Sequence, residues 1–303
     1  MKQPALNSKA LNSPMPDPAP PAGQPQGSKP QGKPSLTSAA SASLPLACTG
    51  LDLARADRVL VRGLALQVRA GERWAVIGPN GAGKSSLLLA LAGLLPLAAG
   101  SLQLGAAVPA RADAAALSRL RAYLPDRWSD SFPVSAAELV QVARYALRNQ
   151  ESAAAAALRA AELLQGLDAG HLAARDVRTL SRGERQRVAL AATLAQDTPL
   201  VFLDEPIAHQ DPRHQVSVLE HLAARRELAC VCVLHDLNAA ARFATHALLL
   251  HGDGRWQAGA AHAVLESTRL TELFATPIRE IGVDGHRAFV SVRGAWDQLG
   301  FLR

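Results

Sequence analysis

The sequence predicts an α/β fold, and three observations carry that reading. Short apolar runs that read as buried strands stand at residues 74–77, 200–203 and 229–234. Each ends in a cluster of glycine or polar residues, where an open parallel sheet holds its ligands. Between the first run and the other two lies an Ala- and Leu-rich stretch that reads as helix.

In chain order, residues 1–46 stand apart. They hold ten of the 19 prolines, both methionines and no aromatic residue. Such a segment buries too little apolar surface to offset its ordering entropy, so a disordered low-complexity tail is expected. Translation from Met15 is an alternative start. Lys2, Lys9, Lys29 and Lys33 against Asp17 give the tail half of the +6 net charge. The body shows no basic stripe with interleaved aromatics, so nucleic acid is not expected as a partner.

The folded domain is expected over 47–260. Leu51-Asp52-Leu53 and residues 59–68 alternate partially, as strands do. Ala70-Gly71-Glu72-Arg73 reads as a turn, 74–77 as a buried strand, and 85–95 as a helix. Residues 112–177 are expected to form a helical subdomain inserted between two parts of the core, with 151–167 its clearest helix. Residues 261–303 read as a small accessory segment with a helix and a hairpin. No run reaches the roughly 18–20 apolar residues that span a bilayer, and the first 40 residues lack a secretory apolar core. Cys48, Cys230 and Cys232 form no metal-ligand cluster and read as small buried hydrophobes, which fits a reducing compartment.

Gly78-Pro79-Asn80-Gly81-Ala82-Gly83-Lys84-Ser85 fits the phosphate-loop pattern G-x-x-x-x-G-K-[ST]. Its glycines let backbone N–H groups turn toward phosphate oxygens, and the following helix adds the positive end of its dipole. Lys84 is placed on the β- and γ-phosphates and the Ser85 hydroxyl on Mg²⁺, with Ser86 beside it. After Lys33, Lys84 is the only lysine in the chain. A guanidinium replaces a compact ammonium poorly on a phosphate cradle. These residues predict binding and hydrolysis of ATP.

Leu200-Val201-Phe202-Leu203-Asp204-Glu205-Pro206 is an apolar strand ending in two acids. Asp204 is expected to hold Mg²⁺ or its waters, and Glu205 to polarise an attacking water. Val231-Cys232-Val233-Leu234-His235-Asp236 repeats the design, with the His235 imidazole placed to bond the γ-phosphate and orient that water.

Leu180-Ser181-Arg182-Gly183-Glu184-Arg185-Gln186-Arg187 resembles the signature of the ABC transporter ATPase family, usually L-S-G-G-Q/E-x-Q-R. The likeness covers about residues 50–260, with several motifs in the right order. It implies a phosphate-loop NTPase core of the ABC ATPase type, with an antiparallel β subdomain and an α-helical subdomain. It implies a homodimer that sandwiches two ATP molecules, in which Ser181, Arg182, Gly183 and Glu184 contact the nucleotide held by the opposite subunit. His209-Gln210-Asp211 resembles the family's D-loop, which puts Asp211 at the dimer interface.

Three positions depart from the pattern. Arg182 replaces a signature glycine. Asp126, after Leu124-Pro125, stands where the family has a glutamine that joins Mg²⁺ and water to the membrane subunit; Asp126 is expected to reach Mg²⁺ through water. The aromatic that stacks on adenine is missing near Ala54-Arg55, and the Arg55 guanidinium is expected to stack instead.

The runs at 124–125 and 134–139, His235-Asp236-Leu237-Asn238-Ala239-Ala240, and Asp284-Gly285-His286-Arg287 resemble importers of vitamin B12, haem and iron–siderophores, the last most of all the cobalamin importer ATPases. This implies a peripheral subunit on the cytoplasmic side of the inner membrane. Its partners would be transmembrane permease subunits, docked around 132–143, and a periplasmic binding protein. A non-transport ABC ATPase, or a regulatory nucleotide-binding module suggested by Asp126 and Arg182, are the alternatives.

Overall fold

The computed structural model describes residues 44–56, 58–128 and 132–292. The expected tail therefore lies outside the described residues, except for its last three positions. One of those, Leu46, already opens a strand.

β1 (Leu46–Arg55) and β2 (Arg58–Val68) pair antiparallel. β3 (Arg73–Ile77) runs into the phosphate loop and α1 (Lys84–Leu91). The chain then returns as β4 (Ala99–Leu104) to the free side of β1, closing a three-stranded sheet ordered β2-β1-β4. This is the antiparallel subdomain that the family likeness implies.

α2 (Ala114–Leu120), capped by Asp113, leads to β5 (Arg121–Leu124). Here the expected helical subdomain of 112–177 is corrected. β5 is a strand of the main sheet, pairing parallel with residues 200–203. Four residues are too few to show a period against an Ala- and Leu-rich background, and sheet pairing overrides that local preference. Beyond it come α3 (Ala136–Val142), α4 (Ala153–Gly166), which falls on the helix expected at 151–167, and, past the expected stretch, α5 (Arg182–Ala195). Serine caps all three, at Ser135, Ser152 and Ser181, and each hydroxyl accepts an N–H that the helix leaves unpaired. Arg144 ties α3 to its neighbours. Its buried guanidinium grips Glu151 at 2.6 and 2.7 Å and donates to the Ala195 carbonyl at 2.8 Å.

The core sheet is completed by β6 (Leu200–Asp204), α6 (Pro212–Ala223), β7 (Ala229–Val233), α7 (Leu237–Phe243), β8 (His246–Leu250) and β9 (Trp256–Ala260). Its order is β5-β6-β7-β3-β8-β9, parallel except for β9. β6 and β7 are buried along their whole length, as strands covered on both faces must be. Residue alternation sorts them into two cores. Ala75, Ile77, Leu203, Cys232 and Leu249 face the helices, while Trp74, Val76, Phe202, Val231 and Leu248 face α1 and the antiparallel sheet. Cys48, Cys230 and Cys232 are free and buried, as the sequence implies. α8 (Ala261–Val264), α9 (Ser267–Phe274) and a hairpin of β10 (Ile278–Val283) with β11 (His286–Ser291) make the C-terminal segment. Among the described residues no helix is long and apolar enough to cross a membrane.

Candidate nucleotide site

The parallel order places β3, β6 and β7 side by side, so their carboxyl ends open at one edge. The phosphate loop leaves β3, Asp204 and Glu205 end β6, and His235 follows β7. A cavity of about 380 Å³ lies there, lined by Arg55, Arg58, Leu60, Asn80, Gly81, Gly83, Lys84, Ser85, Ser86, Glu205 and His235.

The loop is shaped by contacts only glycine permits. Gly83 has φ +94°, and a Cβ on it would lie 3.0 Å from the Leu60 side chain. A Cβ on Gly78 would collide with the Leu250 carbonyl oxygen. Gly83 is also the N-cap of α1 and offers no side-chain cap, so the first N–H groups of the helix stay open toward the loop. The Lys84 ammonium folds over the loop and donates to the Gly78 and Pro79 carbonyls at 2.9 and 3.1 Å. Burial lowers its pKa, and the carboxylates of Glu205 and Asp204 pull it back up. A cation held this way stands ready for an anion to replace neutral carbonyls.

Asp204 is almost fully buried, and its Oδ1 has no hydrogen-bond partner. Burial raises its pKa. The Ser85 hydroxyl and Lys84 oppose that rise, while Asp126 and Glu205 add to it. An orphaned carboxylate oxygen with a serine hydroxyl at hand fits Mg²⁺. That ion is held in NTPase sites by one or two protein oxygens, with phosphates and water completing the shell. Among the described residues no cluster of three or more His, Cys, Asp or Glu that could hold a metal is present.

Glu205 has φ +52°, a left-handed conformation that non-glycine residues adopt at a cost. Its peptide oxygen accepts from Gln186 Nε2 of α5 at 3.2 Å, and its Oε1 meets His235 Nε2 at 2.5 Å. The turn thus aims the carboxylate away from buried Asp204 and toward the histidine.

Asp126 does not reach this group through a hydrogen bond. It is half-exposed, pairs with Arg127 at 3.7 Å, and acts on Asp204 only through its field. Tyr123, on β5, is the nearer group that sequence reasoning missed. Burial raises its pKa, and the charges of Asp204 and Asp126 raise it further. No motif marks Tyr123; its register opposite Phe202 of β6 brings it there. Arg58 was also missed. Its Nε and Nη2 both donate to the Gly252 carbonyl, at 3.2 and 2.7 Å, which fixes it beside Arg55 at the cavity wall.

Ser181, Arg182, Gly183 and Glu184 do not line the cavity. They open α5, where Ser181 and Glu184 form a capping box: Glu184 Oε2 accepts the Ser181 N–H at 2.8 Å, and the Ser181 hydroxyl oxygen accepts the Glu184 N–H at 3.4 Å. The backbone N–H and the hydroxyl of Ser181 together hold the Glu184 carboxyl below its usual pKa. Arg182 is exposed. A Cβ on Gly183 would lie 2.9 Å from the His209 carbonyl oxygen, so glycine there lets α5 approach the 209–211 turn. Asp211 caps α6, accepting the His214 N–H at 3.0 Å and meeting His214 Nδ1 at 2.8 Å.

A phosphate loop, two acids and a histidine on a parallel sheet, with an inserted helical subdomain and an antiparallel flank, define an ATP-binding cassette. Comparison with known proteins places the chain more closely. Residues 61–208 match the ABC transporter family model. The chain is 39% identical over 273 residues to the hemin import ATP-binding protein HmuV of Nocardia farcinica, a likeness covering 85% of this chain and 92% of that protein. It is 38% identical over 236 residues to the vitamin B12 import ATP-binding protein BtuD of Vibrio cholerae, covering 74% and 92%. Among solved structures, an inward-facing ABC transporter described as of metal-chelate type superposes with a TM-score of 0.71 at 25% identity, over 84% of this chain and 99% of that one. The chain belongs to the ABC transporter family, as an ATP-binding import subunit, that is, a transport ATPase.

Proposed function

We propose that this subunit energises uptake of a metal chelate of the haem, cobalamin or iron–siderophore class. Two copies would close head to tail on two Mg²⁺-ATP. Lys84, the loop 78–85 and Ser86 hold the phosphates, and Arg55 flanks the base. Ser85 and Asp204 hold Mg²⁺, with Asp126 acting through water. Glu205 polarises the attacking water and His235 holds it in line with the γ-phosphate. The partner copy brings Ser181, Arg182, Gly183 and Glu184 to that phosphate and Asp211 to the interface.

One observation carries this reading. The cavity of Lys84, Ser85, Glu205 and His235 lacks the signature turn, although that turn presents a serine at the N-terminus of a 14-residue helix. Each half of the chemistry is therefore incomplete within one chain. The import class rests on the hemin and vitamin B12 relatives. The exposed Phe132, Val142 and Tyr145 offer transmembrane permease subunits an apolar footing on the helical side. A periplasmic binding protein would deliver the cargo, and the subunit would sit peripherally on the cytoplasmic face of the inner membrane. The proposed domains are a low-complexity tail over 1–46, the ATPase over 47–260 and a small accessory segment over 261–303.

The test is uptake of labelled haem, cobalamin and ferric siderophore in cells whose only copy carries Glu205→Gln. Loss of one class with the others retained names the cargo. Undiminished uptake of all three contradicts the reading.

A further inference from the structure

Two stretches that mark the importer likeness in the sequence, residues 235–240 and 284–287, meet in the fold. Asn238 lies in the first turn of α7, whose N-cap Asp236 accepts from the Asn238 and Ala239 N–H groups at 2.7 and 3.3 Å. The Asn238 side chain faces β11. Its Nδ2 donates to the Phe289 carbonyl at 3.3 Å, and its Oδ1 accepts the Phe289 N–H at 2.7 Å. A side-chain amide thus pairs with the strand as a further strand would, while the Phe289 ring is buried in the helix-side core.

Arg287, two residues earlier, locks that hairpin in place. Its guanidinium grips Glu280 across the hairpin at 2.6 and 2.7 Å. It also donates to the carbonyls of His262 and Leu265, at 3.1 and 2.6 Å, which binds the hairpin to α8. The same guanidinium lies 5.5 Å from the centre of the Phe289 ring. One residue therefore joins β10, β11 and α8, and the next inward-facing residue joins them to α7.

α7 has only seven residues. A helix that short has little stability of its own and takes its position from what packs on it. It starts two residues after His235, whose side chain is partly open to solvent and meets Glu205. We infer that Asn238 and Arg287 are positioning residues for ATP hydrolysis: the C-terminal hairpin, locked by Arg287, braces α7 through Asn238 and so sets where His235 stands. The inference rests on the reading of His235 and Glu205 as the hydrolytic pair. Neither Asn238 nor Arg287 lines the nucleotide cavity, so the brace acts on turnover and not on nucleotide affinity.

The test uses the full chain, with kcat for Mg²⁺-ATP and the affinity for ATP measured separately, and the His235 imidazole followed by NMR. Asn238→Ala is expected to lower kcat on the order of tenfold, with affinity kept within about twofold, because small misplacements of a catalytic group are costly. The His235 signals should shift. Asn238→Asp, which accepts from Phe289 but cannot donate to it, should fall between. Arg287→Ala should act in the same direction without rescue by Arg287→Lys, since a lysine cannot fork between a carboxylate and two carbonyls; this pair carries the test if Asn238→Ala does not fold. Unchanged kcat in a folded variant, a fall matched by lost ATP affinity, or unmoved His235 signals would overturn the brace. Glu205→Gln is assayed alongside. If it hydrolyses ATP as well as the wild type, the hydrolytic reading fails, whatever the brace variants do.

Discussion

At the scale of single residues, Asp204 holds a carboxylate in the sheet with one oxygen unpartnered, an arrangement that costs stability until a cation arrives. Burial, ahead of its neighbours, raises its pKa. A carboxyl whose folded pKa lies above its unfolded value weakens the fold wherever it is ionised, and the penalty disappears below the unfolded value of about 3.9, where both states are protonated. Asp204→Asn is therefore expected to raise Tm at neutral pH. The gain should shrink as pH falls through the folded pKa and vanish in strong acid. Thermal melts over a pH series, without nucleotide, check this; a gain that does not depend on pH would contradict it. The same variant should lose Mg²⁺-dependent turnover. Glu205→Gln should lower kcat by roughly a hundredfold or more, the range of a lost general base, with ATP affinity retained. His235→Ala should lower kcat with the same retained affinity, read in the same steady-state assay.

At the scale of elements, Ser181 has two separable tasks. It caps α5 within its own chain, and it is proposed to donate to a phosphate of the opposite one. Ser181→Ala removes both, and lost capping costs about 1 kcal/mol of stability. Ser181→Asp keeps a good cap but offers a negative oxygen where a donor is needed. It should melt like the wild type and hydrolyse ATP no better than Ser181→Ala. Gly83→Ala forces a left-handed residue against Leu60 and should destabilise by about 1–2 kcal/mol, measured by denaturant unfolding. The elements legible in the sequence were those whose cause is local: the loop between β3 and α1, the buried strands β6 and β7, and the long helix α4. β5 was not, because four residues beside a short helix show no period until β6 is there to pair with. Likewise, Asp204, Glu205 and His235 stand out at the ends of apolar runs. Tyr123, Arg58 and Asn238 do not, because each owes its place to a partner far away in sequence: Phe202 across the sheet, the Gly252 carbonyl and Phe289.

At the scale of the whole molecule, the arrangement divides one chemistry between two places. The cradle, Glu205 and the histidine share a cavity, and the signature turn opens a helix outside it. α5 still reports to the cavity through Gln186, whose amide holds the Glu205 peptide oxygen. Closure of the partner's signature turn on the γ-phosphate and the aim of Glu205 would then be linked through one rigid helix in each copy. In a head-to-tail pair, a chain lacking Lys84 can still lend Ser181, and a chain lacking Ser181 can still lend Lys84. Mixing Lys84→Ala chains with Ser181→Ala chains, each inactive alone, and following phosphate release tests this most directly. Random pairing makes half the dimers mixed, each with one intact site, so the mixture should recover roughly a quarter of wild-type ATP turnover. A mixture as inactive as its two components would contradict the shared site.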